Sequence, residues 1–194
     1  MEPGYRYATE NVSLPNGSTR LLDIGGGDGR LAVNLARKYP QIVNIASADI
    51  SKDMAKRARR RAIKQGLGSK IHADVNDVHH LAYMDSSFDV VMSMASMHHW
   101  RDPIKALKEL HRVLKPGGFM MLVDGYNRPT FDLVNRAVVQ LGGSVLTAFI
   151  YWIGTKDVLS QKDIVRIVDE SSIHYLSLVF DDFIVIISGT KSTN

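Results

Sequence analysis

Leu21-Leu22-Asp23-Ile24-Gly25-Gly26-Gly27-Asp28-Gly29-Arg30-Leu31 is the stretch on which the rest of the chain turns. A short apolar run enters four glycines within five positions and passes straight into a helical pattern. An ordinary strand-to-helix turn rarely needs more than one glycine, whereas several let a ligand press against bare backbone. Because the loop opens a helix, its amide N–H groups point at whatever sits there. The spacing Gly27-x-Gly29-x-x-Ala32 also fits a loose dinucleotide fingerprint. Asp23 weighs against a pyrophosphate, which a carboxylate repels, and favours a cationic ligand group. Asp49 comes twenty residues after Gly29 and suits the ribose hydroxyls of NAD and of other adenosine ligands alike.

Outward from this loop, short apolar runs alternate with longer amphipathic ones. Arg30–Tyr39 has helical spacing and stops before Pro40; Gln41–Asp49 reads as a strand. Ser51–Gln65 is a basic helix with Ser51 as N-cap and Asp53 in its first turn, closed by Gly66. Lys70–Ala73 and Phe88–Ser93 are expected strands, and Pro103–Leu114 is a helix with Pro116-Gly117-Gly118 beyond its end. Phe119–Asp124 is a fifth strand. Ser160 caps a helix to about Asp169, and strand-like runs Ile173–Phe180 and Phe183–Ser188 flank Asp181-Asp182. Strand–helix alternation means βαβ units and right-handed crossovers, while the last tight turn holds no crossover helix. The expected fold is α/β: a doubly wound, mostly parallel seven-stranded sheet with one antiparallel strand in a C-terminal hairpin. With 194 residues it is expected to be a single domain, 1–194. Its parts are a short segment 1–18, a ligand-binding part 19–124, a substrate, lid or interface segment 125–160, and a helix and hairpin 161–194.

Composition sets bounds. Apolar residues at 45% and charged residues at 23% are ordinary globular values. A net charge of +4 demands neither nucleic acid nor membrane. The absence of cysteine removes disulfides, thiolate metal sites and cysteine nucleophiles together. The longest apolar run, Val145–Ile153, falls short of the ~20 residues of a spanning helix. No signal pattern opens the chain, so a soluble cytoplasmic protein is the expectation. Sixteen Asp against four Glu point to functional turns more than to salted helices.

Leu21–Gly29 resembles motif I of the class I S-adenosylmethionine-dependent methyltransferases, and later segments resemble the same family in the same order. Ser47-Ala48-Asp49-Ile50-Ser51 resembles the acidic end of the second strand, and His72-Ala73-Asp74-Val75 the end of the third. Ser87–Val91 through Met97-His98-His99-Trp100 resembles the fourth strand and its loop. Arg112–Gly118 resembles the turn before the fifth. The likeness covers about residues 20–125 and the final hairpin, and is closest to small-molecule methyltransferases of type 11. It implies S-adenosylmethionine as cofactor, with Asp23 and Gly25 by the methionine part and Gly27 and Gly29 permitting close approach. It also implies Asp49 on the ribose, Ile50 on the adenine, Asp74 and Val75 at the adenine amino edge, and Ser93 and Met94 continuing the wall. Bland alternatives stand beside these: Asp74 as cap of the turn at Asn76, Met92, Met94 and Met97 as core fillers, and Asp28 as a solvent-facing helix residue.

Methyl transfer from a sulfonium needs alignment and water exclusion, and a base only where the acceptor must lose a proton. His98 and His99, after the fourth strand, are the candidate bases. His79-His80 lacks further ligands at sensible spacing, so no metal is expected. There is no Asn/Asp-Pro-Pro-Tyr/Phe segment and no paired-Glu loop, which leaves a small-molecule acceptor. Lys52–Lys64 carries seven Lys and Arg without interleaved aromatics, a solvated face more than a nucleic-acid surface. The apolar stretch at 141–153 reads as acceptor pocket, homodimer interface or simple packing over the sheet. About eighteen residues precede the first strand, too few for the family's usual lid helices, though Tyr5, Arg6 and Tyr7 are placed to fold over the cofactor. The rival activities are an NAD-binding oxidoreductase and a non-catalytic adenosyl-ligand binder.

Overall fold

The computed structural model describes residues 3–126, 159–181 and 184–193. The elements run α1 (Pro3–Glu10), β1 (Thr19–Ile24), α2 (Arg30–Lys38), β2 (Ile42–Asp49), α3 (Lys52–Lys64), β3 (Ile71–Val75) and β4 (Phe88–Met94). A 3-10 turn (Met97–His99), α4 (Pro103–Val113), β5 (Leu114–Gly125), α5 (Gln161–Ser171), β6 (Ser177–Asp181) and β7 (Ile184–Thr190) follow. One seven-stranded sheet has the order β3-β2-β1-β4-β5-β7-β6. All pairs are parallel except those of β7, which is antiparallel to both β5 and β6. The expected fold is therefore observed.

Alternate residues of each strand feed opposite faces, as a two-residue period requires. Leu21, Val90, Met121 and Ile186 join the core under α1 and α2. Their neighbours Leu22, Val91, Leu122 and Ile187 join the core under α4 and α5. Covered on both sides, the central strands are apolar nearly throughout; Arg20 and Asp89 sit at the N-terminal ends of β1 and β4, and Asp23, near the carboxyl end of β1, is the buried exception. Helix α3 buries only Ala55, Ala58 and Ala62, which lets it lie close while its long basic side chains stay outside. Two expected caps hold, Ser51 accepting the Met54 N–H and Ser160 the Asp163 N–H, and Asp102 caps α4 by accepting the Lys105 N–H.

Several boundaries differ from the sequence reading. β3 runs on to Val75, because pairing with β2 continues to Asp49. The Pro-Gly-Gly turn is absorbed into the start of β5, where the Gly117 N–H donates to the Lys191 carbonyl. β6 begins only at Ser177: Tyr175 first packs under β7, and its carbonyl occupies the space a Cβ at Gly189 would need. The N-terminal segment forms α1, whose Tyr5 and Tyr7 pack on the α2-side core and do not line the cleft described below. The stretch 141–153, like most of 125–160, lies outside the described residues, as do Asp182 and Phe183 of the expected hairpin turn. No described helix is long and apolar enough to cross a membrane.

Candidate active site

Strand β1 lies between β2 and β4, the point where the strand order reverses and crevices open at the carboxyl ends of an α/β sheet. Ile24, the last residue of β1, stands beside Ala48 of β2 and Ser93 of β4, so three strand ends and their loops meet at one level. The cleft there has a volume of about 370 Å³. From the glycine loop and β2 end it takes Gly25, Gly27, Asp49 and Ile50; from the segment after β3, Asn76 to His79; from the loop after β4, Ala95, Ser96, His99 and Trp100.

The glycines serve different ends. Gly25 has φ +66°, and a Cβ on it would lie 2.0 Å from Ser96 Oγ, so only glycine lets the loops after β1 and β4 close together. Gly27 faces the cleft and donates its N–H to Asp49 Oδ2 at 2.9 Å. Gly29 has a packing duty: at φ +80° it caps the start of α2, and a Cβ on it would lie 3.0 Å from the Ala58 Cβ of α3. Asp28 is not simply solvent-facing either, since its carboxylate pairs with Arg61 of α3.

Asp49 is the best-placed carboxylate. Its Oδ2 accepts from Gly27 and its Oδ1 from the Ser51 N–H at 2.8 Å, which fixes the side chain at the cleft wall with lone pairs left over. Ile50 beside it is 70% exposed, an apolar plate with no protein cover among the described residues. Asp23 lies beneath the loop, 1% exposed. Its Oδ2 is 3.4 Å from Ser47 Oγ, and its Oδ1 has no partner among the described residues. Burial, reinforced by the nearby Asp49 charge and offset partly by Ser47 and the Ala32 N–H, pushes its carboxyl up to about 7. Ser93 Oγ is likewise buried and unpartnered. An orphaned carboxylate oxygen and an orphaned hydroxyl at the strand ends fit a ligand that brings a cation and hydrogen-bonding groups.

Asp74 and Val75 are not brought to the cleft. Val75 is half-exposed, and Asp74 lies in a separate recess with Arg59 and Ile63. There Asp74 Oδ2 accepts from the Tyr83 hydroxyl at 3.4 Å, while Asn76 Nδ2 donates to that hydroxyl and Asn76 Oδ1 accepts the Ala82 N–H. The chain turns back after β3, so the carboxylate reaching the cleft is Asp77, three residues later. Its signal in the sequence was the pair Asn76-Asp77, turn formers directly beyond a strand. Ser93 and Met94 stand on β4 but not on the cleft surface; Ala95 does, held at φ +51°, a left-handed conformation that costs a non-glycine residue about 1–2 kcal/mol.

The two histidines divide. His99 lines the cleft, its ring centroid 3.9 Å from that of His98. His98 Nδ1 lies 2.7 Å from Asp124 Oδ1, and its backbone N–H donates to Asp124 Oδ2 at 3.1 Å. Asp124, 2% exposed at the end of β5, also accepts the Gly125 N–H at 2.7 Å. Sequence reading missed Asp124 because partners 26 positions apart carry no shared periodicity. No group of three metal-ligating side chains occurs among the described residues.

Residues 22–122 match the methyltransferase-domain family. The chain belongs to that family. Among relatives, it is 38% identical over 121 residues to methyltransferase GfsG of Streptomyces halstedii, covering 62% of this chain and 43% of that one. It is 29% identical over 167 residues to the ubiquinone/menaquinone biosynthesis C-methyltransferase UbiE of Rickettsia peacockii, covering 79% and 67%. To the 27-O-demethylrifamycin SV methyltransferase of Amycolatopsis mediterranei it is 37% identical over 105 residues, 54% of this chain and 38% of that one. The chain thus spans from under half to two thirds of the length of these relatives. In fold it resembles a Methanococcus maripaludis protein assigned as an S-adenosyl-L-methionine-dependent methyltransferase, with TM-score 0.78, 24% identity and 99% and 87% coverage. It also resembles geranyl diphosphate methyltransferase in complex with SAM, with TM-score 0.70, 13% identity and 96% and 84% coverage. The NAD-binding and non-catalytic readings gain no support from these likenesses.

Proposed function

We propose that the protein is an S-adenosylmethionine-dependent methyltransferase acting on a small molecule that carries a protic nucleophile. The observation that carries this reading is the cleft at the β1 end. There Asp49, held by the Gly27 and Ser51 N–H groups, stands beside exposed Ile50 and above the orphaned oxygen of Asp23. Asp49 would accept the ribose hydroxyls, Ile50 would cover one adenine face, and Asp77 with Val78 would meet the adenine edge in place of Asp74 and Val75. Gly25 and Gly27 would border the methionine part, with Asp23, and Ser93 and Met94 behind them, completing the floor. When bound, S-adenosylmethionine supplies a methyl group on a positively charged sulfur that becomes a neutral thioether once the methyl has gone.

The chain's own contribution is positioning and proton handling. Holding two reactants in line is worth about 7–11 kcal/mol, which needs no side-chain nucleophile. Asp124 holds His98 with Nδ1 toward its carboxylate, the orientation that a general base for a hydroxyl or similar acceptor would need. His99, packed on His98, would line the acceptor side. The relatives named above include a C-methyltransferase and a methyltransferase acting on 27-O-demethylrifamycin SV, which supports a small-molecule acceptor while leaving its attacking atom to the base.

Calorimetric titration with S-adenosylmethionine, S-adenosylhomocysteine and NAD tests the proposal on wild type and Asp49→Ala. Micromolar binding of both adenosyl ligands, weakened at least about tenfold by the substitution, is expected, since a charge-assisted hydrogen bond contributes about 1.5–3 kcal/mol. Binding of NAD alone would overturn it.

A further inference from the structure

A chain of polar contacts runs from the start of α4 to the cleft. The Asp102 backbone N–H donates to His79 Nε2 at 3.1 Å. That bond makes Nε2 an acceptor, so the neutral ring carries its proton on Nδ1. Nδ1 lies 2.5 Å from Asp77 Oδ1, and the His79 backbone N–H donates to the same oxygen at 2.9 Å. The His79 side chain is only 9% exposed, whereas that of Asp77 is 34% exposed and both residues border the cleft. Asp77 Oδ1 is thus saturated from one side by a single residue. No hydrogen-bond donor among the described residues reaches Oδ2. The two His79 hydrogen bonds also hold the Asp77 carboxyl below the usual carboxylate range, so Oδ2 can accept but not donate.

An acceptor-only atom at a purine edge attracts an exocyclic amine and repels a carbonyl. We propose that His79 is a positioning residue: tied to α4, it holds Asp77 as a fixed acceptor and thereby sets a preference for 6-aminopurine over 6-oxopurine ligands. The inference rests on the adenosyl-ligand reading of the cleft. His79-His80 has no further ligands at metal-binding spacing in the sequence. The structure gives His79 two hydrogen-bonding duties, whereas the His80 ring lies outside, 2.8 Å from Lys105 Nζ.

The probes are S-adenosylhomocysteine and its deaminated counterpart S-inosylhomocysteine, titrated calorimetrically into the full chain, with circular dichroism to establish folding. Wild type is expected to prefer the adenosyl ligand by at least about tenfold, the size expected when an acceptor is left facing a carbonyl instead of a donor. His79→Leu should cut that preference to about threefold or less. His79→Asn, whose amide can still donate toward Asp77 Oδ1, should restore most of it, which a purely structural role would not predict. Asp77→Asn, able to donate to a 6-oxo group, should bring the inosyl ligand level with the adenosyl one. Failure of wild type to bind either probe would overturn the cleft reading itself. Tight but equal binding of both, or an unchanged preference in folded His79→Leu, would overturn the inference alone. Should His79→Leu not fold, an Asp77→Asn protein that keeps the wild-type preference overturns it instead.

Discussion

Replacing Asp23 by Asn should make the ligand-free protein more resistant to alkali while spoiling its site. The carboxyl is fully buried, one oxygen is unpartnered, and its pKa stands at about 7 against 3.8 for the ordinary group. Between those values the folded protein holds a proton that the unfolded chain has lost, so stability falls as pH rises, and levels off above about 7. That elevation amounts to about 4 kcal/mol in full. Of this, about 2–3 kcal/mol falls between pH 5 and pH 8, where the protein can be assayed conveniently. For a chain of this length each kcal/mol moves Tm by about 2–4 °C. Wild type should therefore lose about 5–10 °C relative to Asp23→Asn on going from pH 5 to pH 8, with the variant paying a constant penalty of about 1–3 kcal/mol for a buried amide lacking partners. Thermal melts of both proteins at half-unit pH steps read this directly. Parallel pH profiles would refute the reasoning, since they would mean that Asp23 does not titrate differently in the two states. A linked result follows on the ligand side. A cationic ligand group near Asp23 should drive its proton off, so S-adenosylmethionine titrations at pH 6.5 should show a buffer-dependent enthalpy that Asp23→Asn lacks.

Gly25→Ala should lose adenosyl-ligand binding by more than about tenfold, because a left-handed φ and contact with Ser96 both oppose the Cβ; Gly25→Ala combined with Ser96→Gly should recover part of it in the same titration. Arg112 donates to the Leu81 and Tyr83 carbonyls and pairs with Asp85 and Glu109, so Arg112→Ala should cost about 2 kcal/mol in urea unfolding by leaving those carbonyls unpaired. With an acceptor in hand, Asp124→Asn and His98→Ala should each lower kcat by about 10²–10⁴ while leaving the KM for S-adenosylmethionine within about threefold. An unchanged kcat in either variant would remove the dyad from the chemistry.

The sequence alone was enough for the sheet and the ligand loop. Residues such as Leu21 and Leu22, or Val90 and Val91, are apolar on consecutive positions because both faces of a central parallel strand are covered, and that leaves a legible trace. The glycines at 25, 26, 27 and 29, and the carboxylate at Asp49, announce their site because backbone conformation and strand ends are local properties. What tertiary structure decided is which side chains converge. The sequence reading named Asp74 and passed over Asp77, and only the path of the chain after β3 turns the first toward Tyr83 and the second toward the cleft. At Gly29 the tertiary structure adds a demand that the motif does not show, since a Cβ there would crowd Ala58 on α3. His98 acquires its meaning from Asp124, and His79 from the Asp102 N–H, partners 26 and 23 residues away. Periodicity records how much of a residue is buried; it holds no record of which distant loop is folded beside it, because that is set by the packing of the whole sheet and its helices.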